Sequence, residues 1–158
     1  MNDHGLLDDC LGTPKIVTVT VEPNPMLTAS AASETICHNT VPTITADVTA
    51  LNGNNYRVTA VNSAGTVGGF TAGPTIKADG AGIESGTLTN TTSLTGTVTY
   101  TLTPYTYGTG GVDEGGLGND CTGTPTVVVV VVEPTQQPHR ARIHKPFAAT
   151  PFHQRRWT

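Results

Sequence analysis

The segment CTGTPTVVVVVVEP, residues 121–134, holds six consecutive valines, Val127–Val132. Valine is β-branched and stiff at χ1, so the run favours a pleated strand. Left uncovered, it is also an aggregation hazard. The segment CLGTPKIVTVTVEP, residues 10–23, is nearly the same sequence. Setting residue n over residue n+111 aligns Gly5, Leu6, Asp9, Cys10, Gly12, Thr13, Pro14, Val17, Val19, Val21, Glu22 and Pro23 with identical residues. That is twelve identities in nineteen positions without a gap. We read it as an internal repeat of roughly 111 residues.

A repeat of that length has the size of an immunoglobulin-like sandwich. The expected organisation has three parts. Residues 1–23 are the terminal strand and linker of a preceding repeat. Residues 24–134 are an all-β, immunoglobulin-like antiparallel β-sandwich. Residues 135–158 are a basic tail, either disordered or used in assembly. In the first copy Val17, Val19 and Val21 point to one side, and Ile16, Thr18 and Thr20 to the other. In the second copy Val127, Val129 and Val131 replace those three, so both faces are apolar. The outer face is therefore expected to be covered or to be a contact surface. EPNP at 22–25 and EPTQQP at 133–138 read as stiff, extended linkers, because proline cannot continue a ladder.

Composition agrees with an all-β chain. Charged residues are 13% and aromatic residues 5%, against eighteen glycines, eleven prolines and thirty threonines. Apolar residues do not recur at a helical period over any useful length. Further strands are expected at Met26–Ser30, Glu34–His38, Thr43–Val48, Tyr56–Asn62, Gly69–Thr71, Ile83–Thr89 and Thr97–Pro104. Charge is asymmetric. Residues 1–134 set twelve acids against Lys15, Arg57 and Lys77, giving −9, whereas residues 135–158 carry five bases and no acid, giving +5. An acidic body repels phosphate, so no nucleic acid is expected as partner. No run of about 18 apolar residues exists, so no membrane insertion is expected. MNDHGLLDDC has neither a basic n-region nor an apolar core, so no export signal is expected in this chain.

Three pieces carry a resemblance: TICHNT (35–40), GTLTNTTSLTGTVTYTLTP (86–104), and the closing C-x-G-T-P…V-x-V-x-V-x-P at 10–23 and 121–134. Together they resemble the PKD-like or immunoglobulin-like repeat domains of very large surface proteins and adhesins of Bacteroidota. The Trp-Asp-Phe-Gly-Asp-Gly type of motif found in PKD domains is missing. Tyr56, not a tryptophan, is the aromatic residue in the middle of the expected sandwich. The resemblance implies an extracellular or cell-surface bacterial module that is structural or adhesive, not an enzyme, and needs no cofactor. Its partners would be neighbouring repeats, copies of itself, or a glycan.

Individual residues sharpen these expectations. The repeat makes Cys10 and Cys121 equivalent, so a Cys37–Cys121 disulfide would leave Cys10 an unpaired thiol; the alternative is three reduced cysteines. A disulfide would imply an oxidising compartment. No metal site is expected from the cysteines, because CxxC spacing is absent. Cys37 and His38 are strand neighbours that point to opposite faces, which argues against a nucleophile–base pair. Asp8, Asp9, Asp113, Glu114, Asn119 and Asp120 lie in glycine-rich loops. They read as turn residues bonded to backbone, with Asp113, Glu114 and Asp120 a weak calcium candidate. Tyr105 and Tyr107 are candidates for ligand contact by stacking on a glycan. Asn90-Thr91-Thr92 matches a glycan-acceptor tripeptide. Finally, Ile16, Val17, Val19 and Val21 form a spare last strand. It could be donated head to tail to another molecule, entering the slot of Val127–Val132 or adding beside it, and so build an extracellular filament.

Overall fold

The computed structural model describes residues 12–50, 53–63, 66–108, 113 and 115–135. Ten strands follow in chain order: β1 Met26–Ala29, β2 Ser33–Ile36, β3 Ala46–Thr49, β4 Asn55–Ser63, β5 Val67–Gly68, β6 Thr75–Ala78, β7 Thr89–Asn90, β8 Gly96–Thr106, β9 Cys121–Thr122 and β10 Thr126–Val132. The described residues contain no helix. The main sheet has the order β2-β10-β8-β4-β6, with β9 paired to one end of β8. A smaller layer is made by β1-β3 and β5-β7, with isolated bridges Thr40↔Leu88 and Thr45↔Gly82.

The eleven-residue β8 explains why the layers pack. In GTVTYTLTPYT, Val98, Tyr100 and Leu102 alternate with Thr97, Thr99, Thr101 and Thr103. The pleat sends the first set inward, where all three are fully buried, and leaves the threonines half-buried on the outer face. The same alternation puts Tyr56, Val58 and Ala60 of β4 into the core. Ile44, Ala46, Val48, Ile83 and Leu88 close it from the second layer. The result is an all-β molecule of packed sheets, consistent with a β-sandwich.

β10 pairs with β8 antiparallel, Thr126↔Leu102 through Val132↔Gly96. It pairs with β2 in parallel, Val129↔Ser33 through Val132↔Ile36. The expectation of purely antiparallel pairing is therefore corrected. β2 continues from β1 in the same layer-crossing stretch, so it runs alongside β10 in the same direction. Two strands, β6 and β9, are absent from the expected set. β6 has four residues and β9 two, and they are held by pairing with β4 and β8, not marked by a hydrophobic pattern of their own.

The expected strand Ile83–Thr89 reduces to Thr89–Asn90. The cause is Glu84, a buried carboxylate. Its Oε1 accepts the backbone N–H groups of Ser85 (2.9 Å) and Gly86 (3.0 Å), and its Oε2 accepts from Thr71 N–H (2.8 Å) and the Tyr100 hydroxyl (3.4 Å). Side-chain bonding to neighbouring N–H groups competes with a ladder, so the chain turns there. Four donors also satisfy a group that would otherwise be costly to bury.

Candidate functional site

The valine run resolves into two faces. Val128, Val130 and Val132 are each 0% exposed, whereas Val127 is 55% exposed. Val129 and Val131 are half-buried. Their cross-strand neighbours on β8 are Thr99 and Thr97, and on β2 Ser33 and Thr35. The expected contact surface of Val127, Val129 and Val131 is thus part of a β-branched outer face. It continues through Thr101, Thr59 and Val61, and Arg57 at one margin is its one charged residue on β4 and β8. β8 flanks β10 over Thr126–Val132, whereas β2 pairs with its other side only over Val129–Val132. A strand therefore cannot add beside Val129–Val132, and on the β2 side of Thr126–Val128 no strand pairs among the described residues.

The two ends of the main sheet differ. At one end Gly123 donates its N–H to Pro104 O (2.9 Å), and a Cβ on Gly123 would collide with the Pro25 carbonyl oxygen. Glycine is required by that close approach. The chain therefore comes in at Pro25, beside Pro104. It leaves at Val132, opposite Gly96. Eight β8 residues separate these levels, so the chain enters and leaves about 27 Å apart along the strands. At the outgoing end the buried Asn90 side chain donates to Val132 O (2.8 Å) and Leu94 O (2.8 Å). Its Oδ1 accepts from Thr92 N–H and hydroxyl. Every polar atom of that amide is engaged and 0% of the residue is exposed, so the acceptor tripeptide is a structural turn. Asn90 N–H in turn donates to His38 Nδ1 (2.9 Å), which anchors the imidazole to β7. Cys37, His38, Glu133, Pro134 and Thr135 line a shallow cleft here.

This polarity also settles the cysteines. Cys37 follows Ile36, which stands opposite Val132 at the outgoing end. Cys121 stands opposite Thr106, ten β8 residues away from the Gly96 level. The two are roughly 30 Å apart by strand rise, far beyond the ~7 Å a disulfide spans between Cα atoms. Both are free and exposed. The expected Cys37–Cys121 bridge is corrected for that reason. Cys10 lies outside the described residues, as do Asp8, Asp9, Glu114 and the tail from residue 136.

At the incoming end, Tyr105 and Tyr107 approach at 6.5 Å between ring centroids, tilted by 42°. Tyr105 is 0% exposed, so it has no face to offer a sugar ring, and its expected stacking role is corrected. Tyr107 is half-buried and its ring lies over Gly53, where a Cβ would stand 2.6 Å from it. Asp113 ties the pair to the loop. Its Oδ1 accepts from the Tyr105 hydroxyl (3.0 Å) and Gly115 N–H (2.9 Å), and its Oδ2 accepts from Asn55 Nδ2 (2.9 Å). Desolvation pushes the Asp113 carboxyl up, but the hydrogen bonds from Gly115, Tyr105, Asn55 and Tyr107 prevail and leave it below the ordinary range. Burial pushes the Tyr105 phenol well up, and its bond to Asp113 adds to this. Asp120 accepts from Gly108 N–H (3.2 Å) and Gly116 N–H (3.0 Å). Both carboxylates thus accept hydrogen bonds from backbone N–H groups of their own glycine-rich loops, the arrangement expected of turn residues. No group of three or more His, Cys, Asp or Glu fit for a metal occurs among the described residues.

The remaining feature is residues 12–22. They belong to no strand or helix and join no ladder among the described residues. Ile16 is 89% exposed, Val17 74%, Val19 78% and Val21 86%. Among the described residues nothing approaches within 4 Å of a Cβ built on Gly12, although its repeat equivalent Gly123 is pressed against Pro25. This segment carries the pattern of β10 without the surroundings of β10. No described helix is long and apolar enough to cross a membrane. No family model, no curated protein and no solved structure matches the chain.

Proposed function

We propose that residues 24–134 form an immunoglobulin-like spacer module of an extracellular or cell-surface bacterial repeat protein, acting structurally or in adhesion and not as an enzyme. The observation that carries this reading is the axial polarity of the sandwich. The chain comes in beside Pro104 and leaves beside Gly96, and both ends are marked by the same Glu-Pro sequence, at Glu22-Pro23 and Glu133-Pro134. Modules joined this way follow one another end to end instead of folding back. The two packed layers of antiparallel pairs, β8 with β4 and β10 in one and β1 with β3 in the other, support the immunoglobulin-like assignment. The non-enzymatic part is supported by the loop carboxylates Asp113 and Asp120, which hold backbone and tyrosine donors at the incoming end.

Small-angle scattering tests the reading. In chains carrying one, two and three copies of residues 24–134 at the natural period, the maximum dimension should grow by about 35–40 Å per copy. That is about 27 Å of strand plus three or four extended linker residues. Growth well below that length would mean side-by-side packing and would overturn the spacer assignment.

A further inference from the structure

We propose that residues 15–22 are a closing strand for a second sandwich of this same fold, and that they enter it between the equivalents of β2 and β8 in the register of β10. The inference rests on the repeat-module reading above. Lys15–Val21 correspond one to one with Thr126–Val132. The three inward positions of β10 are Val128, Val130 and Val132, all fully buried. Their equivalents Val17, Val19 and Val21 are also valines, and each is at least 74% exposed. The outward positions Ile16, Thr18 and Thr20 suit the half-buried, threonine-rich outer face. The slot also has ladders on both sides, where Val129 N–H donates to Ala32 O and Glu133 N–H to Ile36 O on the β2 side.

Two further observations point to a sandwich as the acceptor, not to a generic apolar surface. Gly12 repeats Gly123, whose lack of a side chain is required only where an incoming chain crosses it. Among the described residues nothing comes within 4 Å of a Cβ on Gly12, so the residue matches a sandwich that residues 12–22 are not seen to join here. The acceptor cannot be this chain's own sandwich either, because β10 already holds both ladders there. The acceptor is therefore another sandwich with its last slot open, and a second copy of this chain supplies one once its β10 is disabled. Since the donor segment sits at the incoming end and the slot finishes at the outgoing end, the contact runs head to tail.

Complementation between full-length chains tests this. The acceptor is a chain carrying Val19→Asp and Val130→Asp, with its donor and its own closing strand both disabled. Alone it should lack the near-ultraviolet circular dichroism of packed tyrosines. Mixed with the unaltered chain, it should recover that signal and elute with the mass of two chains. A chain carrying only Val19→Asp should keep its own fold yet fail to rescue the acceptor, with at least a tenfold weaker effect at equal concentration. Three outcomes overturn the inference: an acceptor that stays unfolded with the unaltered chain, one rescued equally by Val19→Asp, and one that aggregates regardless of its partner. The scattering series does not depend on donation. Normal spacing with failed complementation would remove the donor strand alone, whereas abnormal spacing would remove the module reading beneath it.

Discussion

Replacing Val130 by alanine and Val129 by threonine separates the two faces of β10. Val130 is 0% exposed and pairs with Val98 and Glu34, whereas Val129 is half-buried between Thr99 and Ser33. Val130→Ala removes two methyl groups from the core. Their transfer is worth about 1.6 kcal/mol, and the cavity left in a close-packed interior adds to that, for a total of about 2–3 kcal/mol. For a domain of this size each kcal/mol lowers Tm by roughly 4 °C or more, so a fall of about 8–15 °C is expected. Val129→Thr keeps the β-branched shape and puts the hydroxyl where neighbouring threonines already reach solvent. It also copies Thr18 of the first repeat. Its cost should stay within about 0.5 kcal/mol. Urea unfolding followed by tyrosine fluorescence reads both, with the midpoint moving and the slope unchanged. Equal losses from the two substitutions would refute the assignment of faces and mean that the outer valines are covered too.

Alkaline pH and thiol chemistry provide two further checks. Burial pushes the Tyr56 phenol, which donates to Ala81 O (2.6 Å), up to about 12, with Asp79 and Asp47 adding to the effect. Burial and Glu84 raise Tyr100 in the same direction. Protons are then held more tightly in the folded state. The associated stability is complete below pH 10 and is lost as pH rises toward 12. Stability measured by urea titration at pH 8, 10 and 11 should fall over the last step, and full tyrosinate absorbance near pH 10 in the folded chain would contradict this. Cys37 and Cys121 should both react with iodoacetamide in the folded protein. Cys37→Ser and Cys121→Ser should each shift Tm by less than about 2 °C, whereas recovery of a Cys37–Cys121 peptide under non-reducing conditions would show the sheet polarity to be wrong.

The sequence by itself determined the strand class and the facing of its side chains. In TVTYTLTP the alternation of Val98, Tyr100 and Leu102 with threonine is a local property of the pleat, so that inward set was legible before any fold was known. The inward set of TVVVVVV was legible only through the first copy, where Val17, Val19 and Val21 alternate with Ile16, Thr18 and Thr20. The 111-residue repeat was legible too, because it needs only a comparison of the chain with itself. Neighbour relations were not. A strand of six valines has two apolar faces and reads equally well at an edge or inside a sheet. Only the tertiary structure put β2 in parallel along Val129–Val132 and set Cys37 and Cys121 at opposite ends of β8. The same holds for single side chains. Tyr105 reads as a loop aromatic, and its burial depends on Asp113 and Asn55, the latter 50 residues away in the chain. Glu84 reads as a polar residue inside a strand, yet its carboxylate finds donors at Thr71 and Tyr100 and turns the chain instead. Periodicity is written into neighbouring residues, whereas burial and pairing of a given group depend on which distant segments the packed layers bring against it.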